Sequence, residues 1–231
     1  MPPGPGGDLH TVPATARAAH AVGVVGTPAV RHSIAPEYVR WQTDRSRAEL
    51  GRPRLDAVFL HNPEHGHQDH CQPLADRLRA AFAVLEEDAH AGQLAAYGVA
   101  TWSGFTGNAL TVARLQLPVS LVMDAHLSEA LNGRGPITQA ADRGWDVHAS
   151  APLHGGELLS LATPEVTALV KEGAGTAAAC LAAAASCPGV TRVLLATGNP
   201  AHCDDALTVT GAPAIPPQTL RTALDVLATC D

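Results

Sequence analysis

Short β-branched runs separated by stretches of helical spacing set the limits on what this chain can fold into. The runs fall at residues 21–26, 56–61, 95–101, 118–123, 145–150 and 190–196. Between them the spacing predicts a helix opened by Pro36 and carried to Leu50, and one over about 72–90. Further helices are predicted over 110–115, near 137–143 and, Ala-rich and long, over 164–186. Residues 216–227 read as a closing helix. Strands that alternate with helices of this length pair in parallel, because each crossover needs a helix to return the chain. The chain is therefore expected to be α/β with about six βα units. Residues 1–20 are expected to be a Pro/Gly-rich N-terminal segment and 21–231 a single domain, with no interdomain linker between.

Composition removes several classes of function. The chain carries a net charge of -7 over 231 residues, so neither nucleic acid nor an anionic membrane is an expected partner. No run of about 18 apolar residues appears that would suit a membrane-spanning helix. Residues 1–8 lack the basic and apolar segments of a secretory signal, which makes a cytoplasmic location the expectation. Five scattered cysteines form neither a disulfide framework nor a CxxC knuckle. Fourteen arginines stand against one lysine, Lys171, which restricts any chemistry that needs an amine.

The second and third runs carry a resemblance. Leu60-His-Asn-Pro-Glu64, then Phe82 to Glu87 with Gly92, then Tyr97-Gly-Val-Ala-Thr-Trp-Ser103, are similar to segments of the aldo-keto reductase family. Gly144 to Gly156 resembles that family's seventh strand and phosphate-side loop, and Val193 to His202 its eighth strand and loop. The resemblance covers roughly residues 21–210. It implies a (β/α)8 barrel with its site at the C-terminal strand ends, here an incomplete TIM-type barrel with about six units. It also implies carbonyl reduction with NADPH by an Asp, a Tyr, a Lys and a His. Only the histidine carries over, as His61. No segment corresponds to the strands that bear the Asp and Tyr. Val24-Val-Gly-Thr-Pro28 stands where the lysine is expected, and Lys171, Tyr38 and Tyr97 are misplaced for the missing roles.

The candidate site follows. His61 ends an apolar strand and is the expected general acid/base or carbonyl donor. Asp124 and His126 are expected to assist it, with helix capping the alternative role of Asp124. Glu64, Trp102, Ser103 and His154 are expected around a substrate. Gly155, Gly156, Gly198 and Asn199 would approach a dinucleotide or phosphate if one is bound. The loop after the last run lacks the family's arginine for a 2′-phosphate, and Asp204 and Asp205 would repel one, so no cofactor is expected and NADPH is disfavoured. His65, His67 and His70, with Glu64, have metal-ligand chemistry, but solvated loop histidines are the expectation and no metal is assigned. His148 and Cys187 read as core residues.

These residues suggest an aldo-keto-reductase-like protein without redox machinery. It would catalyse an acid/base step (dehydration, cyclisation, isomerisation or lysis) on a carbonyl-bearing small molecule, with bacterial natural-product biosynthesis the expected setting. The alternatives are a non-catalytic binding or regulatory scaffold, and an NADPH-dependent reductase completed by another chain. Two unpaired strand edges, near 22–25 and 192–195, make a homodimer the expected assembly.

Overall fold

The computed structural model describes residues 32–64, 72–102, 114–121 and 125–229. The chain forms two compact units, one through Val99 and the other made of the described residues from Ala100 onward. The expected first strand, 21–26, lies outside the described residues.

In the first unit, helix α1 spans Pro36–Leu50. Proline at its start loses no hydrogen bond there, and Gly51 ends it at φ 61, where the chain turns left-handed. Strand β1 is Val58–His61, helix α2 Leu74–His90 and strand β2 Tyr97–Ala100. β1 lies beside β2. Just before them a parallel bridge joins Leu55 to Leu94, and Val58 N–H donates to the Ala96 carbonyl at 3.1 Å. Leu78, Ala81, Phe82 and Leu85 recur at helical spacing on α2 and are all buried. On the same helix the buried Asp88 carboxylate accepts from Thr43 Oγ1 of α1 at 3.0 Å and lies 3.5 Å from Arg47 Nη1. That ion pair and hydroxyl satisfy a carboxylate that would be costly to bury alone.

In the second unit, β3 (Arg114–Pro118), β4 (Asp146–Ser150) and β5 (Arg192–Val193) are parallel neighbours in that order. Helices α3 (Ala125–Leu131) and α4 (Gly135–Asp142) come between β3 and β4. A kinked 3-10 segment, His154–Ser160, then α5 (Pro164–Val170) and α6 (Thr176–Ala185) precede β5. α7 (Pro200–Thr210) and α8 (Pro217–Ala228) follow it. The core joins Leu115 and Leu117 of β3 to Val147 and Ala149 of β4, Ile137 of α4 and Leu220 of α8. Burying each such leucine or isoleucine contributes roughly 1.5–3 kcal/mol. Six of the ten residues of α6, from Ala179 to Ala184, are buried, as a helix apolar on nearly every face must be.

The architecture is the expected α/β one, a parallel sheet with eight helices and five strands among the described residues, but four expected elements differ. Residues 114–118 are strand, where a helix over 110–115 and a strand over 118–123 were expected. Arg114-Leu-Gln-Leu117 alternates, and the two leucines are the inward set. The expected long helix over 164–186 breaks between α5 and α6, where Gly173 sits at φ 74 and Gly175 caps α6. Lys171 is consequently the C-cap of α5 and no longer within a helix. Helices α3 and α7 occupy stretches in which no helix was expected. The last strand shrinks to two residues, although Thr191 and Leu194 still donate to β4 carbonyls at 2.8 Å. Among the described residues no helix is long and apolar enough to cross a membrane.

Candidate functional site

His61 closes β1 and its side chain is exposed. The backbone turns immediately after it, with Asn62 left-handed at φ 43. Asparagine enters that region more readily than other non-glycine residues, and such positions concentrate at functional sites. Asn62 is itself buried, and its amide Nδ2 donates to His61 Nε2 at 3.3 Å. That leaves Nδ1 as the proton-bearing nitrogen of the neutral ring. His32 Nε2 donates to the His61 carbonyl at 2.6 Å and fixes the strand end. Asn62 Oδ1 is buried with no hydrogen-bond partner among the described residues. A buried acceptor left open beside an exposed imidazole is where a donor group of a bound molecule would be satisfied. Glu64 follows, half-buried. Asp124, Ser103 and the histidines 65, 67 and 70 lie outside the described residues.

His126, Trp102 and His154 belong to the second unit. His126 is buried on α3, where its Nε2 donates to the Trp102 carbonyl at 3.2 Å and Nδ1 lies 3.5 Å from Glu129. This ring holds the chain after β2 in place. Trp102 is half exposed, and its ring stands edge-on to His154, with centroids 5.5 Å apart. His154, at φ 46, opens the glycine loop and places Nδ1 3.4 Å from Glu157.

That loop borders a cavity of about 940 Å³ in the second unit. Leu153, Leu159, Leu181 and Leu194 supply its apolar wall, and Thr197, His202 and Asp205 a polar end. Asn199 caps α7 by accepting from Ala201 N–H at 3.1 Å, and Pro200 starts the helix. His202, Asp205 and Thr208 then recur at i+3 along one side of α7, and all three line the cavity. Thr197 Oγ1 accepts from Asn199 N–H, so its own O–H can donate to His202 Nδ1, 3.2 Å away. Neither His202 nor Thr197 is among the site residues expected from the sequence. The signal was present as Asn199-Pro200, a cap and first-turn pair that starts a helix.

Gly155 and Gly156 do border the cavity, at φ 71 and 99, as a loop approached closely by a ligand requires. The residues present nevertheless do not fit a dinucleotide phosphate. His154 and Gly156 spend their N–H groups on the Ala151 and Leu153 carbonyls, at 2.9 and 2.7 Å. Asn199 and Ala201 spend theirs within the turn that starts α7. Gly198 is exposed beside them. Among the described residues no arginine or lysine lines the cavity, and Asp205 is its one carboxylate.

The remaining candidates for reductive chemistry are engaged elsewhere. The Tyr97 hydroxyl donates to Glu86, and burial, with the Glu86 carboxylate beside it, pushes its pKa up to about 12. That is opposite to the direction a proton-donating phenol needs. Tyr38 packs against Trp41, ring centroids 5.7 Å apart. Lys171 lines a second cavity of about 560 Å³ with Ser186 and Thr219.

No family model matches the chain. No curated protein matches it either. Solved structures do. An aldo-keto reductase from Bacillus halodurans, in its holo form, is 13% identical at a TM-score of 0.62, over 84% of this chain and 66% of that one. A thermostable aldo-keto reductase in complex with the inhibitor epalrestat is 19% identical at 0.58, over 83% and 66%. An aldo-keto reductase from a deep-sea metagenome library is 13% identical at 0.59, over 81% and 67%. This chain thus spans slightly less than two thirds of the length of the first two. At these identities the likeness is one of fold, and the fold of this chain is that of the aldo-keto reductases, an α/β barrel left incomplete among the described residues.

Proposed function

We propose that this chain catalyses a non-redox acid/base step on a carbonyl-bearing small molecule, with His61 as the group that meets the substrate. The observation that supports this most is the pairing of His61 with Asn62. The Asn62 amide holds the imidazole Nε2, which leaves an exposed ring whose Nδ1–H can donate to a carbonyl oxygen. With a carboxylate such as Glu64, two residues beyond Asn62, to take a neighbouring C–H proton, such a donor stabilises the enolate that forms and can then protonate it. β-Elimination of water next to a carbonyl, keto–enol isomerisation, aldol-type cyclisation and retro-aldol lysis all proceed through that kind of intermediate. The open Asn62 Oδ1 offers an acceptor for a substrate hydroxyl at the same strand end.

The solved structures of this fold carry the names of reductases, so the competing outcome is carbonyl reduction. Purified full chain is incubated with a panel of β-hydroxycarbonyl and enolisable carbonyl compounds, with and without NADPH, and products are followed by mass spectrometry. Loss of water or a mass-neutral rearrangement without dinucleotide, abolished in a folded His61→Ala variant, is expected. NADPH oxidation coupled to carbonyl reduction, above that of the same variant, overturns the reading.

A further inference from the structure

We infer that the second unit's cavity binds an uncharged, largely apolar small molecule and no longer accepts a dinucleotide. Its volume of about 940 Å³ lies within the range of small-molecule sites. Five leucines line it, and two of them, Leu159 and Leu194, remain 36% and 37% exposed. Their surface stays in water unless a ligand covers it, so covering them favours an apolar occupant. The polar end selects for hydrogen bonding without negative charge. Thr197 O–H can donate to His202 Nδ1, and in that arrangement the neutral ring carries its proton on Nε2. Asp205 lies one turn further along α7, so an uncharged hydroxyl or carbonyl finds both a donor and an acceptor there.

A phosphate finds the opposite. Several N–H groups that could cradle it are already spent on Ala151, Leu153, Thr197 and Asn199. The charged group on the wall is a carboxylate, and an anion placed beside it in a leucine-lined cleft finds no arginine or lysine among the described residues to offset its desolvation. The fold keeps the loop that would approach a dinucleotide while its chemistry has changed to one that favours a neutral occupant.

This inference concerns binding alone, so it stands or falls apart from the chemistry at His61. The full chain is titrated with Nile red, a neutral dye whose emission shifts to the blue in apolar surroundings. Saturation at one dye per chain is expected. Leu194→Trp and, separately, Ala196→Trp place an indole in the cavity from partly open positions and should weaken the dye by about tenfold or more. Leu207→Asp, at a leucine 71% exposed on α7 and outside the cavity wall, should leave it unchanged and so excludes general surface adsorption. Circular dichroism confirms that each variant is folded. NADPH at millimolar concentration is expected to leave the dye in place. Displacement of the dye by NADPH, or undiminished dye binding in both folded tryptophan variants, overturns the inference.

Discussion

The Trp102 indole meets the His154 imidazole edge to face, with ring centroids 5.5 Å apart and planes at 79°. The contact ties Trp102 to the glycine loop after β4, both within the second unit. Trp102 is held from below as well, since its carbonyl accepts from His126. An edge-on aromatic pair is worth about 0.5–1.5 kcal/mol beyond the area it buries. Because Trp102 is 49% exposed, its truncation leaves little cavity. A double-mutant cycle of Trp102→Ala and His154→Ala, read by urea denaturation, should return a coupling of about 1 kcal/mol. Additive effects of the two substitutions would show that the rings do not support each other.

His148 gives stability a pH dependence. It is buried on β4, opposite Gln116 and Arg192 of the flanking strands. Burial lowers its pKa below the ordinary 6.5, the Arg114 and Arg192 charges lower it further, and Asp146 opposes them. The folded chain therefore resists a proton that the unfolded chain accepts near pH 6.5. Above that value both states are neutral and the fold incurs no cost. As pH falls through 6.5 toward the lower folded value, the unfolded state gains the proton first and stability is lost. The thermal midpoint should drop between pH 7 and 5.5, with a shallower slope in His148→Gln. An unchanged slope in that variant would assign the dependence to other groups.

The parts of the fold that could be read in advance are those where one local rule acts alone. Pro36 and Gly51 bracket α1 as a first-turn proline and a left-handed glycine should. His61 ends its strand as expected because the apolar run stops there. Arg114 to Pro118 does not read as a strand from the sequence because its alternating run is short and adjoins a longer apolar one. Only burial of Leu115 and Leu117 reveals which of the two forms the strand. The break between α5 and α6 was hidden by alanine, which favours helix on both sides of Gly173 and Gly175. The polar end of the cavity was missed for a related reason. Thr197, His202 and Asp205 converge only once Asn199 and Pro200 start a helix in what read as a polar loop.

Gly189 is predicted to be intolerant of any side chain. It sits at φ 89, and a Cβ there would lie 3.0 Å from Ile137 Cγ2 and 3.1 Å from Ala141 Cβ on α4. The left-handed backbone costs a non-glycine residue of order 1–3 kcal/mol, and the buried Ile137 has little room to move. Gly189→Ala should therefore destabilise the chain by about 2 kcal/mol or more. Gly133 has a similar φ of 64 with nothing within 4 Å of the added Cβ. The difference between Gly189→Ala and Gly133→Ala midpoints isolates the packing part. Equal losses at the two sites would leave only the backbone cost.

Arg77 should be a position where removing a charge helps the fold. It lies buried on α2, two turns before Leu85, and burial lowers its pKa from the usual guanidinium value. Among the described residues, its Nη1 and Nη2 are enclosed without a hydrogen-bond acceptor. A buried donor left unsatisfied costs about 1–3 kcal/mol, and more when charged. A buried aliphatic stem, by contrast, contributes to packing. Arg77→Met keeps a stem of similar length and removes the unpaired charge, so the urea midpoint should rise, by about 1–3 kcal/mol of stability at an unchanged m-value. Arg77→Lys keeps the charge and should bring no gain. A fall in midpoint for Arg77→Met would mean that the guanidinium is paired in solution, and that this part of the first unit relies on an anion for its stability.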